Sequence, residues 1–228
     1  KGAITLNQIA DSIRVVPEVL KYAISGNGAL TFGVTTAMVF CNSREGLAAP
    51  DLQLLFAPAS SSIKVVGKLD EDPGMTLSIC PVRPQSRGTV MAESPDPMEK
   101  AKIRPNYFGV EDDIHVMLSG VKQGQKIFAQ PALQEYSIGE AVPGKPMETA
   151  EECVEFAKQR GVTIYHPVGT CKMGTDVMSV VDPRLKVIGV EGLRVIDASI
   201  MPGVTTGNTN APSIMIGEKG AAMILEDN

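Results

Sequence analysis

The 228-residue chain contains only two histidines, His115 and His166. Histidine suits proton transfer near neutrality because its ordinary pKa lies near ~6.5. His166 sits in the run Tyr165-His166-Pro167-Val168-Gly169-Thr170-Cys171-Lys172-Met173-Gly174, whereas His115 follows Ile114 inside a helical pattern. A second polar run, Gly207-Asn208-Thr209-Asn210, precedes a helical stretch from about Pro212 to Leu225. An asparagine donates a hydrogen bond to an oxygen without competing for its proton. A helix N-terminus adds free N–H groups and partial positive charge. Taken alone, a histidine near Pro and Gly is more often a structural hydrogen-bonding residue, and Gly207–Asn210 is a plausible turn. His115 reads as a helix-surface or core-edge residue.

Other reactive side chains point less far. Cys41, Cys80, Cys153 and Cys171 form no CxxC, and with the two histidines they make no metal-ligand cluster by spacing. They read as reduced, mostly buried thiols, Cys171 included. Glu111-Asp112-Asp113 reads as the acidic start of a helix rather than a metal site. Arg87 reads either as a group for a ligand anion or as a turn residue with an exposed guanidinium.

The elements that must carry these residues follow from periodicity. Ile9, Ile13, Val16, Leu20 and Ile24 line one face of a helix over 5–25, which Pro17 can split. Residues 30–41 and 51–58 read as strands, and the polar stretch 59–74 as a loop. Met75–Val82 and Gly88–Ser94 read as a strand pair joined across Pro84-Gln85-Ser86-Arg87, and 95–110 as a proline-rich connector. A helix follows Glu111-Asp112-Asp113, with Ile114, Met117, Leu118, Val121 and Phe128 on one face. Thr149 and Glu152 form a capping-box pattern for a helix over about 150–160, closed by Gly161. Short strand-like pieces then appear at Val162–Tyr165, Leu185–Ile188 and Leu193–Ile196. Few helical crossovers separate the strands, so an α+β fold with mostly antiparallel pairing is expected.

Composition bounds the function. There are 21 basic and 26 acidic residues, a net charge of −5, which argues against general nucleic-acid binding. Hydrophobic residues make up 43% and charged residues 21%, which argues against intrinsic disorder. No run of about 18 apolar residues exists, so no helical membrane span is expected. The chain begins Lys1-Gly2-Ala3, without Met, so missing targeting signals say nothing of compartment. The compartment stays open, with the cytoplasm favoured.

The run 165–174 and the run Leu193–Gly217, which contains Val195-Ile196-Asp197-Ala198-Ser199 and Gly207-Asn208-Thr209-Asn210-Ala211-Pro212, resemble the C-terminal part of the glucose–methanol–choline (GMC) family of flavin-dependent alcohol oxidoreductases. The bacterial choline-dehydrogenase-like and alkanol-dehydrogenase-like branch is the most similar, which implies a bacterial origin. Ser86-Arg87-Gly88, Ile103-Arg104-Pro105-Asn106-Tyr107, Val181-Asp182-Pro183 and Gly189-Val190-Glu191-Gly192-Leu193 also match family positions. The resemblance implies that His166 takes the hydroxyl proton of an alcohol while FAD accepts the hydride. It implies that Asn210 orients the substrate oxygen, and that Asp197, Ala198, Asn208 and Thr209 contact the cofactor. No metal is implied.

The family's dinucleotide fold opens with Gly-x-Gly-x-x-Gly, which does not occur here; Gly26-Asn27-Gly28 follows a helix and has Thr31 at the third position. The expectation is therefore a C-terminal portion. Residues 1–160 would hold most of a substrate-binding domain, and 161–228 would complete an FAD-binding α/β domain. The expected partners are a small alcohol and either a missing N-terminal portion or a separate FAD-binding chain. A split flavoenzyme subunit and a non-catalytic ligand-binding remnant remain as alternatives. The alcohol, and oxidase against dehydrogenase, stay open.

Overall fold

A computed structural model describes residues 4–10, 12–61 and 68–227. Helices α1 (Leu6–Ala10) and α2 (Val15–Ser25) are followed by strands β1 (Ala37–Cys41), β2 (Leu52–Ala57), β3 (Thr76–Pro81), β4 (Thr89–Met91) and β5 (Lys102–Arg104). Then come α3 (Glu111–Phe128), α4 (Pro131–Gln134), α5 (Ala150–Arg160) and α6 (Asn210–Asp227). The α+β class and the antiparallel pairing are as expected. The fold divides into two compact units, Lys1–Pro81 with Ile114–Gly161, and Val82–Asp113 with Val162–Asn228. This division is discontinuous in sequence, where the sequence suggests a single boundary after residue 160.

In the first unit β1, β2 and β3 form an antiparallel sheet in that order, with Val39 opposite Leu54 and Leu54 opposite Ile79. Strand residues alternate faces, so Leu52 and Leu54 share a face with Leu77 and Ile79. Helix α3 approaches this face through Gly120 and Gly124. A Cβ on Gly120 would stand 2.5 Å from Ile79 Cγ2 and 3.0 Å from Leu52 Cδ2, and one on Gly124 3.1 Å from Leu77 Cδ2. Leu52 and Leu54 are 0% and 2% exposed, which marks the centre of the contact. Val121, Met147 and Cys153 form a second buried cluster with Met117, Leu118 and Phe156. The capping box of α5 forms as expected: Glu152 N donates to Thr149 Oγ1 at 3.2 Å and Thr149 N to Glu152 Oε2 at 3.3 Å. The Glu148 N–H, donating to Glu152 Oε2 at 3.0 Å, then the Lys145 ammonium at 3.1 Å from Oε1 and the Thr149 N–H, hold the Glu152 carboxyl well below its ordinary value, at about 2.

Several sequence expectations are corrected. The helix over 5–25 is broken before Pro17 into α1 and α2. The strand expected over 30–41 is confined to Ala37–Cys41, after a short 3₁₀ turn at Ala29–Thr31. β3 does not pair with the strand after Arg87. It pairs with β2, and β4 pairs with β5 from the expected connector. Gly88 explains that partner: a Cβ there would stand 2.2 Å from Arg104 O and 2.6 Å from Pro105 O. Only glycine permits so close a backbone approach. The pieces at 162–165, 185–188 and 193–196 form no named strand; single bridges join Val181 to Val187 and Lys186 to Arg194. α6 starts at Asn210, two residues before the expected Pro212. The loop expected over 59–74 lies partly outside the described residues; within them Ser61 bridges Leu69.

Among the described residues, no helix is long and apolar enough to cross a membrane, and no three or more His, Cys, Asp or Glu side chains cluster as metal ligands. The four cysteines are free; Cys80 and Cys153 are buried, while Cys41 and Cys171 are half-buried. Burial pushes the Cys41, Cys80 and Cys153 thiols up, away from the reactive thiolate.

Candidate active site

The second unit holds the candidate site residues His166, Asp197, Ala198, Asn208, Thr209 and Asn210 on a scaffold with little regular structure. Val181, Leu185, Ile200, Met201 and Ile216 form its buried core. Backbone bonds lay the histidine-containing run along the segment before α6: Cys171 N donates to Ser199 O at 3.0 Å and Met173 N to Ile200 O at 2.8 Å. Gly169 lies beside Met201 O, where a Cβ would make only ordinary contact at 3.4 Å, and it is the φ of 87° that favours glycine there. Gly220 seats α6 on Ile196, since a Cβ there would stand 2.4 Å from Ile196 Cγ2.

His166 enters this scaffold from a strained residue. Tyr165 has φ 61°, in the left-handed region that non-glycine residues rarely adopt. Its side chain is 76% exposed, so burial of the ring is not what holds it there. The turn at Tyr165 instead sets the direction of the next side chain. The half-buried His166 ring is held on both edges. Nδ1 lies 2.9 Å from Thr209 Oγ1, and Asn208 Nδ2 lies 2.7 Å from Nε2. Thr209 is 7% exposed, and its carbonyl accepts from Ser213 N at 3.0 Å and Ser213 Oγ at 2.6 Å, which anchors it to the first turn of α6. Among the described residues no hydrogen bond joins Asn210 to the ring. The amide that meets the ring is that of Asn208, whereas the family resemblance implies the orienting role for Asn210. The reason is the helix start: with α6 beginning at Asn210, that residue already follows the helix, and the last non-helical amide is Asn208.

The remaining candidates flank this pair. Asp197 is exposed and caps the 3₁₀ turn Ala198–Ile200, accepting from Ser199 N at 2.8 Å and Ser199 Oγ at 2.5 Å. Ala198 is half-buried against the core. Arg87 belongs to the turn before β4. Its Nη1 donates to Pro84 O, Gln85 O and Ser86 O at 3.0, 3.1 and 3.1 Å, and its own carbonyl accepts from Asn106 Nδ2 at 3.0 Å. Its Nη2 reaches to 3.7 Å from where a Cβ on Gly203 would lie. Buried Asp113 braces the same turn, accepting from Gln85 N at 2.7 Å and Ser86 N at 2.8 Å. Asp113 is thus a turn anchor as well as a helix-start residue, a role the acidic run did not signal.

The far end of α6 is tied down electrostatically. Asp227 pairs with Lys186 Nζ at 2.6 Å, Arg184 Nη2 at 2.9 Å and Arg194. The Lys186 hydrogen bond, with the charges of Arg184 and Arg194, holds the Asp227 carboxyl below its ordinary value. A carboxylate at a helix C-terminus is unfavourable by itself, and the three cations reverse that.

Residues 84–217 match the C-terminal model of the GMC oxidoreductase family. The chain is 42% identical over 205 residues to an alcohol dehydrogenase [acceptor] of Pseudomonas putida, covering 90% of this chain and 37% of that protein. It is 41% identical over 204 residues to an oxygen-dependent choline dehydrogenase of Brucella melitensis, covering 88% of this chain and 36% of that one. The chain therefore spans little more than a third of the length of these curated relatives. Among solved structures it resembles pyridoxine 4-oxidase from Mesorbium loti, with TM-score 0.74 and 27% identity over 83% of this chain and 37% of that one. The fold also matches formate oxidase from Aspergillus oryzae, with TM-score 0.85 and 22% identity over 100% of this chain and 44% of that one. With well over half of its residues inside the family match and two relatives above 40% identity, the chain belongs to the GMC oxidoreductase family.

Proposed function

We propose that this chain is the proton-handling, C-terminal portion of a flavin-dependent alcohol oxidoreductase. The observation that carries the reading is the His166 ring clasped between Thr209 and Asn208 at the N-terminus of α6. His166 Nε2 takes the hydroxyl proton of the alcohol. The substrate oxygen replaces the Asn208 amide on Nε2 and accepts a hydrogen bond from Asn208 Nδ2, which orients it. Such a positioned base contributes about 10²–10⁴-fold to a rate.

Residues around this pair fit a flavin. Gly203 leaves its face open up to Arg87 Nη2, at 3.7 Å from a Cβ position. The first N–H groups of α6 have no acceptor within the helix and face developing negative charge favourably. Asp197, with Ala198, would contact the cofactor through the carboxylate oxygen that does not bond Ser199; Asn208 and Thr209 would border its ring. Bound FAD would supply the hydride acceptor. We assign most of the substrate-binding domain to 1–160 and completion of the flavin domain to 161–228. The remaining cofactor contacts would come from a preceding portion or a partner chain.

The test compares Asn208→Ala with Asn210→Ala, and with His166→Ala, in the flavin-loaded full-length enzyme under anaerobic single turnover. His166→Ala lowers flavin reduction by about 10²–10⁴-fold. Asn208→Ala lowers it markedly, and Asn210→Ala leaves it within a few-fold. Equal reduction rates for His166→Ala and the parent overturn the assignment.

A further inference from the structure

We propose that Thr209 is a positioning residue that sets the tautomer of His166, a role distinct from the cofactor contact that the sequence alone suggested. The proposal rests on the reading of His166 as the base. Asn208 presents an N–H to Nε2 at 2.7 Å, so Nε2 is the acceptor and carries no proton. A neutral imidazole then has its proton on Nδ1, and Nδ1 faces Thr209 Oγ1 at 2.9 Å. The hydroxyl accepts that proton's hydrogen bond. Thr209 is 7% exposed, so solvent is a poor substitute acceptor there. The backbone that carries the hydroxyl is also anchored, because the Thr209 carbonyl is bonded by both the backbone and the side chain of Ser213.

The arrangement is useful for one reason: it keeps the lone pair on the nitrogen that faces Asn208. In the opposite tautomer Nε2 carries the proton and has no lone pair to take another. When the base takes the alcohol proton on Nε2, the Nδ1 proton stays where it is, still bonded to Thr209. One acceptor therefore serves the neutral ring and the imidazolium alike. Thr209 never exchanges a proton with the substrate, so it acts through His166 and is not itself catalytic. A valine at 209 keeps the shape and removes the acceptor. It leaves a buried Nδ1–H unpaired, or drives the proton to Nε2.

The chain's two histidines make the test direct. Nitrogen-15 histidine NMR of the 228-residue chain near pH 8 reports the tautomer of His166, with a His166→Gln sample to assign its signals. The expected parent spectrum is dominated by Nδ1–H. Thr209→Val lowers that population several-fold, and Thr209→Ser, which keeps the hydroxyl, restores it. A parent ring protonated on Nε2, or a Thr209→Val spectrum unchanged from the parent, overturns the proposal. If Thr209→Val does not fold, a Thr209→Ser ring that has lost Nδ1–H overturns it equally, and one that retains it supports it. In the flavin-loaded full-length enzyme, Thr209→Val lowers the rate of flavin reduction about tenfold at pH values where the base is neutral, with substrate affinity little changed. A tautomer that moves while that rate stays constant upholds the role of Thr209 and instead sinks His166 as the base.

Discussion

The two units of this chain are held together by different physics. In the first, a helix with glycines at 120 and 124 lies on a three-stranded sheet, and the contact centres on Leu52 and Leu54. In the second, short irregular segments are fixed by single backbone bridges, by close glycine passages and by ion pairs at the end of α6. The first kind of packing concentrates its stability in a few buried apolar side chains. The second depends on individual backbone and polar atoms, and it is where the candidate site residues sit. Residues positioned by specific bonds can meet at angles that a regular helix or strand does not offer. Tyr165, at φ 61°, is one such angle.

Three perturbations bear on that contrast, the largest first. Leu54→Ala removes buried apolar volume from the first unit and costs about 2–5 kcal/mol, read as a shift in the urea midpoint. A loss below about 1 kcal/mol would mean that the sheet–helix contact is not what carries this unit. Gly88→Ala acts in the second unit by forcing a methyl against Arg104 O and Pro105 O, which are backbone and cannot rotate away. Its cost is about 1–3 kcal/mol, larger than that of Gly120→Ala. There the methyl meets side-chain rather than backbone atoms, Ile79 Cγ2 and Leu52 Cδ2, and the gain in helix propensity from glycine to alanine offsets part of the repacking. Equal costs for the two glycines would erase the distinction between the units.

The smallest effect belongs to Asp227→Asn, and it depends on pH. The folded carboxyl titrates below its ordinary value, so its contribution is present above that ordinary value, near ~3.9, and fades as the pH falls through the depressed one. The variant should therefore melt lower than the parent at pH 7, with the gap closing toward pH 3 and narrowing in salt, because these charges are exposed. A gap that widens in acid would contradict the ion-pair account.

The same contrast governs what could be read before the structure. The α3 pattern and the Thr149–Glu152 box were legible because periodicity and capping are local. The pairing of β4 was not. Its partner, Lys102–Arg104, lies in a stretch whose prolines suggested a connector, and only the clash that a side chain at Gly88 would make identifies it. The motif at 165–174 pointed to His166, but the family resemblance was carried onto Asn210, which the structure places inside α6, two residues after the amide that meets the ring. Boundaries are the least certain part of such a reading, and here one boundary decided which amide reaches the ring.

The 2.7 Å contact between Asn208 and His166 has a consequence for selectivity. On the proposed reading the ring is its own ligand before a substrate arrives: the amide occupies the position that an alcohol oxygen would take. Every entering hydroxyl competes with an internal rival that is always present at the same effective concentration. If that bond is worth about 1 kcal/mol net, it weakens all alcohols by about fivefold. On that reading a hydrocarbon recovers none of that loss, and an ether, which accepts from Nδ2 but gives no proton to Nε2, recovers only part of it, so the resting contact would act as a graded filter in favour of hydroxyls before any chemistry begins.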